Sequence, residues 1–268
     1  MPLTSIQARV LQLLSANRSP DSYLAGATVI HQAAGTPRYS LDLDFFHDLE
    51  ESVAHCAAVD AATLMAAGYE LHWLLRTPTI YRAVVTVAGE QLRLDWAQDS
   101  AFRFFPVQPD AECGYRLHMA DAATGKLLAL SGRTEARDFI DTLYLHRTYL
   151  PLGALAWAAC GKDPGYTPAL LLEHANRHAC PTQEAIDLLR LSEPLDVKTL
   201  KQLWLRASEE AWRMVECLPP EDIGCLYLDP QGQVVAPNTA AEDFGTLTRH
   251  FGSIRGAWPS IAPFSGPA

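Results

Sequence analysis

The 268-residue chain lacks three things that would place it outside the ordinary soluble enzymes. It has no CxxC pair, no apolar leader with a cleavage-site pattern, and no apolar run long enough to cross a bilayer. Its six cysteines (Cys56, Cys113, Cys160, Cys180, Cys217 and Cys225) are scattered, which suits buried free thiols better than a disulfide framework. A soluble cytoplasmic protein with no membrane partner is the expectation. Positive charge is also scarce: 21 Lys and Arg stand against 31 Asp and Glu, a formal net charge of -10. That argues against non-specific binding to nucleic acid, which needs positive surface, but leaves room for a local basic groove. The imbalance is uneven. Residues 39–75 contain seven acids and no Lys or Arg, whereas residues 76–147 contain nine of each sign.

Hydrophobic residues make up 49% of the chain and charged residues 19%, enough to bury a real core. Helical spacing marks residues 4–16 through Ile6, Val10, Leu11 and Leu14. Residues 23–26 read as a short strand entering a turn, and residues 28–34 as a short helix stopped by Gly35 and Pro37. Strict alternation makes 41–46 a strand, 48–67 reads as a helix ended by Gly68, and 69–75 as a strand. Residues 81–87 and 91–97 read as a hairpin around Ala88, Gly89 and Glu90. Two helices, 120–131 and 135–149, are joined at Gly132, and further helices run from Pro151 to about Cys217. A small hairpin at 224–235 turns on Asp229-Pro230-Gln231-Gly232, and the tail after Pro237 is polar and broken by Gly and Pro. No internal repeat is present. A boundary near Pro151 divides the chain into 1–150 and 151–268.

The stretch YSLDLDFF, residues 39–46, carries the chemistry. On a strand, Asp42 and Asp44 share one face, opposite Leu41, Leu43 and Phe45. Two carboxylates that close repel, and one pKa rises unless a cation lies between them. A divalent metal resolves the conflict, and Mg²⁺ is commonly held by one or two carboxylates together with substrate phosphates. Asp95 is placed to be a third ligand, because it faces away from Leu94 and Trp96 on its own strand. A D-x-D pair alone is common, and strand-end surface residues are its plain explanation. The turn at Gly26, Ala27 and Thr28 just upstream opens a helix whose free amides suit a phosphate.

Together these residues resemble a known family. LAGATVIHQAAGTPRYSLDLDFF is similar to the opening motif of the nucleotidyltransferase superfamily, in the form used by the AbiEii/AbiGii toxin family. Gly26-Ala27-Thr28 stands where the family has G-G-T. Arg38, Ser40, Asp42, Asp44 and Phe45 match its Arg-x-Ser-x-Asp-x-Asp-Phe. LRLDW supplies Asp95. DAATGKLLALSGRTEARDFIDTLYL supplies Lys126, Arg137, Asp138 and Asp141. The likeness covers roughly residues 20–150. Ala27 is a departure: its Cβ either crowds a phosphate or sits on backbone that is already helical.

The resemblance implies an α+β chain, a mixed sheet flanked by helices, with a helical C-terminal portion. It implies nucleotidyl transfer from a nucleoside triphosphate to an acceptor such as the 3′ end of a tRNA, with Mg²⁺ or in its place Mn²⁺, and an antitoxin protein as partner. Asp42, Asp44 and Asp95 would be the metal ligands, with Asp95 also activating the acceptor hydroxyl. Gly26, Ala27, Thr28, Arg38 and Ser40 would bind the nucleotide, and Lys126 would neutralise its phosphates. Asp138 would orient Lys126 or touch the nucleotide; an ion pair of Asp138 and Asp141 with Arg133, Arg137 or Lys126 is the equal alternative. A binding module that holds nucleotide or antitoxin without turnover is the rival to the enzyme. Two further features carry less. His174 and His178, four apart with Cys180 nearby, have zinc-binding spacing but no further ligand cluster. Phe102, Phe104 and Phe105 with Arg103 fit a base-stacking wall or, more plainly, core packing.

Overall fold

Helix α1 (Ser5–Leu14) begins at a reciprocal cap. The Thr4 hydroxyl accepts from the Gln7 amide while the Gln7 side chain accepts from the Thr4 amide. The computed structural model describes residues 3–31 and 35–259. Strand β1 (Ser22–Ala25) enters helix α2 (Gly26–Ile30), followed by β2 (Asp42–His47), α3 (Glu50–Ala66), β3 (Glu70–Arg76), β4 (Ile80–Val87) and β5 (Glu90–Gln98). Short strands β6 (Phe102–Arg103), β7 (Gln108–Asp110) and β8 (Gly114–Arg116) lead into helices α4 (Met119–Gly132) and α5 (Ala136–Thr148).

A seven-stranded mixed sheet results, in the order β3-β4-β5-β2-β1-β8-β7. Its central contact is parallel, β2 beside β5, and β2 is antiparallel to β1 on the other side. The alternation read from sequence decides which side chains meet. Leu43, Phe45, Ala83, Val85, Leu94 and Trp96 are all buried on one face, where α1 and α3 pack on β5. Burying such side chains contributes about 1.5–3 kcal/mol each, so the strands cannot slip by one residue without inverting both faces. The other face carries Asp42, Asp44, Arg93 and Asp95 beneath α4.

Helices α6 (Leu152–Lys162), α7 (Pro168–His178), α8 (Gln183–Asp187) and α9 (Val197–Cys217) follow, and α6 and α7 both pack on α4. Among the described residues, no helix is long and apolar enough to cross a membrane.

Four local expectations are corrected. The β4–β5 loop has two residues, not three: Val87 pairs with Glu90 across Ala88 and Gly89, both at positive φ. Such primed turns match the strands' own twist. Helix α2 starts at Gly26 and ends at Ile30, and residues 32–34 of the expected helix lie outside the described residues. Gly132 is the last residue of α4 rather than the joint, which falls at 133–135. The expected hairpin keeps its turn, with the Gly232 amide donating to the Asp229 carbonyl at 2.9 Å. However, β9 (Cys225–Leu228) finds its full partner in β10 (Thr248–Phe251), inside the polar tail broken by Gly and Pro. The return arm runs into Pro237, which has no amide to extend a ladder. A last strand, β11 (Ser253–Ile254), pairs with β6.

Candidate active site

A cleft of about 480 Å³ lies between α4 and the polar face of the sheet. Its position follows from register. Asp44 and Asp95 are direct cross-strand partners on β2 and β5, and Asp42 opposes Arg93. Residues two apart share a face, so the three aspartates all line the cleft. Gly26 and Ala27 close one side, with Ala25 opposite Asp44. Gly26 is required twice. Its φ is +67°, and a Cβ there would stand 1.9 Å from Asp44 Oδ2. Ala27 sits on helical backbone, which settles its conformation.

The aspartates differ in company. Asp42 receives the Ser40 hydroxyl on Oδ1 at 2.8 Å and the Arg93 guanidinium on Oδ2, with Arg137 3.6 Å away. Asp95 is gripped by Arg82 through two hydrogen bonds of 2.8 and 2.6 Å, and Arg93 Nε stands 3.6 Å from it. Asp44 takes no ion pair among the described residues. Burial, then the charges of Asp42 and Asp95, push its carboxyl up to about 7, against weaker opposing pulls from Lys126 and Arg93. As the side chains stand, no three His, Cys, Asp or Glu among the described residues enclose a metal position. The donor set itself fits a hard divalent ion: three carboxylates on one face, one with no cation of its own.

Behind the cleft lies a second, closed cluster. Asp141 is fully buried and receives Arg38 through two hydrogen bonds of 2.6 Å. His31 Nε2 lies 2.8 Å and Lys126 Nζ 3.1 Å from its oxygens. Burial alone would raise the Asp141 pKa; Lys126 and Arg38 overcome it and hold the carboxyl well below its ordinary 3.8. Asp138, equally buried, receives Lys126 at 2.9 Å and Arg133 at 2.8 Å. Burial lowers the Lys126 pKa, but Asp141 and Asp138 outweigh it and leave the ammonium more firmly charged than usual.

Of the residues singled out from sequence, Gly26, Ala27, Arg38, Asp42, Asp44, Asp95 and Lys126 line the cleft. Thr28, Ser40 and Asp138 stand behind it. The Thr28 hydroxyl donates to the Asp42 carbonyl at 3.0 Å, so Thr28 and Ser40 brace the first aspartate. His174 stacks edge-on against Tyr166, and His178 Nδ1 lies 2.8 Å from Thr134 Oγ1. Phe104 and Arg103 are buried, the guanidinium on Asp48 and Tyr23, so that segment is core.

Sequence reasoning missed Arg82 and the far end of the cleft. There Lys162 pairs with Asp99 at 2.8 Å above the apolar Phe46, Ile80 and Ala97. Asp121 accepts the Phe104 and Phe105 amides, and burial lifts its carboxyl to about 6 against those hydrogen bonds. Arg82 was readable from the two-residue turn: counting outward from Val87 and Glu90 sets Arg82 opposite Asp95.

Known proteins bear the same fold. MenT4, a nucleotidyltransferase toxin of Mycobacterium tuberculosis, is 17% identical over 81% of this chain and 83% of its own, with a TM-score of 0.56. JHP933 of Helicobacter pylori is 20% identical over 80% of this chain and 95% of its own, with a TM-score of 0.50. Identities this low establish the fold alone. No curated protein matches the chain in sequence. The family described as nucleotidyl transferase AbiEii toxin, type IV TA system, matches residues 12–213, the segment that contains the sheet, the three aspartates and Lys126. The chain belongs to the AbiEii nucleotidyltransferase toxin family.

Proposed function

We propose that this chain transfers a nucleotidyl group from a nucleoside triphosphate to a hydroxyl of an RNA acceptor, with Mg²⁺ held by Asp42, Asp44 and Asp95. The observation that carries the reading is the convergence of those aspartates on one sheet face, across the parallel β2–β5 contact, in a cleft walled by Gly26 and Lys126. The bound ion would screen phosphate charge and stabilise the negative charge on the attacking and leaving oxygens. The protein's own part is positioning. Thr28 and Ser40 fix Asp42, and Gly26 lets the backbone approach Asp44 closely. Lys126, anchored by two buried aspartates, presents a fixed positive charge to the cleft. In the reaction the acceptor oxygen bonds to the α-phosphorus and its proton passes to Asp95. The bond from that phosphorus to the β-bridging oxygen breaks, and pyrophosphate leaves with the electron pair.

The test is incubation with each α-labelled ribonucleoside triphosphate, Mg²⁺ and total tRNA. The expected result is label on RNA, lost in Asp44→Asn. Tight nucleotide binding with no label on RNA or any other acceptor would overturn transfer and leave a binding module.

A further inference from the structure

Of the three aspartates on β2 and β5, Asp42 and Asp95 are already paired, and with the residue type best suited to phosphate. Arg82 spends both arms of its fork on Asp95. Arg93 joins Asp42 and reaches toward Asp95. Arg137 stands near Asp42. All three line the cleft. Their side chains are 34–35% exposed, while Asp42 and Asp95 are 11% and 9% exposed. The carboxylates are therefore fixed, and the guanidiniums have room to swing. The Nε donors of Arg93 and Arg137 are buried without a hydrogen-bond acceptor. An unsatisfied buried donor is costly, and a guanidinium fork matches phosphate oxygens two at a time.

We propose that Arg82 and Arg93, with Arg137 beside them, are triphosphate-binding residues stored on the metal-site carboxylates, so that metal and nucleotide enter by one exchange of ion pairs. This rests on the nucleotidyl-transfer reading and deepens it. Around Asp42, Asp44 and Asp95 the facing cations are Arg82, Arg93 and Arg137. A divalent ion alone must displace guanidiniums that then have no partner. A triphosphate alone must draw them from carboxylates left bare. Arriving together, the ion takes the aspartates and the phosphates take the arginines, so neither set of charges is left bare. Each ligand therefore strengthens the other by the same factor.

Mn²⁺ binding to the full chain, followed by the electron paramagnetic resonance of the free ion, tests the exchange with and without an α,β-methylene triphosphate. The parent should bind Mn²⁺ weakly alone and about tenfold or more tighter with the analogue. Arg82→Gln should bind Mn²⁺ alone about threefold or more tighter, bind the analogue less well, and lose most of the coupling. Arg93→Gln should move the same way, and it carries the test if Arg82→Gln does not fold. Arg133→Gln is the control. Arg133 lines the same cleft but is tied to Asp138 and pairs with none of the three aspartates, so its loss should tighten Mn²⁺ binding alone less than that of Arg82 or Arg93. Equal tightening in Arg133→Gln would mean a general charge effect and overturn the exchange. Unchanged Mn²⁺ affinity and coupling in both Arg82→Gln and Arg93→Gln would overturn it too, leaving nucleotidyl transfer intact. No Mn²⁺ binding by the parent, with or without analogue, would instead remove the metal site and the transfer reading together.

Discussion

Asp141 is held by Arg38, His31 and Lys126, all buried or nearly so, and Asp138 by Lys126 with the exposed Arg133; the cations on Asp42 and Asp95 are partly exposed arginines only, and Asp44 takes no ion pair among the described residues. Lys126 touches the first group and faces the second across the cleft. The difference separates structure from readiness. In the closed cluster, burial is met in full by Lys126, Arg38, His31 and Arg133, and both pKa values fall. In the open cluster, burial and mutual repulsion are met only in part, and the Asp44 pKa rises. Ion pairs of the first kind hold a fold in one arrangement. A carboxylate of the second kind is poised to gain from a ligand that brings positive charge.

The largest effect should come from breaking the closed cluster. Asp141→Ala strands Arg38, His31 and Lys126 around a buried gap. Removing one partner of a buried charge network costs about 3–5 kcal/mol. Urea unfolding should show a loss of that size, against a change below about 1 kcal/mol for Asp42→Asn in the metal-free protein. Equal losses would erase the distinction between the clusters.

Asp44→Asn sharpens it from the other side. Transfer should fall by about a hundredfold or more, since a ligand of the reacting centre is lost. The metal-free protein should become firmer by about 1–2 kcal/mol above pH 7, a range discounted for water access and for coupling to Asp42 and Asp95. The pH dependence gives the sign. Asp44 ionises at about 7 when folded, against an ordinary 3.8. Between these values the folded chain keeps a proton that the unfolded chain has released. Parental stability should therefore fall as pH rises from about 4 to about 7, and then level off. In Asp44→Asn this component of the slope should vanish. A variant that melts lower and still transfers nucleotide would make Asp44 a structural residue.

How much of this was legible beforehand depended on how local each relation is. The aspartate face followed from alternation, because Leu43 and Phe45, or Leu94 and Trp96, could be buried only by turning Asp42, Asp44 and Asp95 the other way. The arginine that grips Asp95 was one residue out of reach. A three-residue loop at 88–90 would set Arg82 opposite Trp96, and only the two-residue turn sets it opposite Asp95. The hub at Asp141 was less accessible still. Lys126 and Asp138 were paired in the sequence reading, but His31 and Arg38 meet Asp141 only because α5 carries it to the end of α2 and to the residues just before β2. No periodicity encodes that docking. The far end of the cleft, where Lys162 from α6 meets Asp99 after β5, depends likewise on how the C-terminal helices pack on α4.

Lys126 belongs to both clusters, so its variants separate them by size of effect. Lys126→Arg keeps the charge near Asp138 and Asp141 but replaces a compact ammonium with a wider fork. Stability should change by less than about 1 kcal/mol while transfer falls about tenfold, the drop appearing in nucleotide affinity as well as in rate. Lys126→Ala should lose stability and transfer together. Parental transfer in Lys126→Arg, with a marked loss of stability in Lys126→Ala, would confine the lysine to the closed cluster.

The smallest effect bears on Ser40, where two roles give opposite readouts. Its hydroxyl donates to Asp42 Oδ1 at 2.8 Å and sits 3.3 Å from the Asp42 carbonyl, so it steadies a carboxylate. The family resemblance instead makes it a phosphate contact. Losing one such hydrogen bond costs about 1 kcal/mol, equivalent to about fivefold in an affinity. If Ser40 acts by holding Asp42, Ser40→Ala should weaken Mn²⁺ binding alone by about that factor and leave metal-free binding of the triphosphate analogue at the parental value. If it acts on phosphate, the analogue should weaken without metal and Mn²⁺ alone should not. The 2.8 Å contact favours the first pattern. Parental Mn²⁺ affinity in Ser40→Ala would show that the strand itself suffices to aim Asp42, and would remove the steadying role from Ser40.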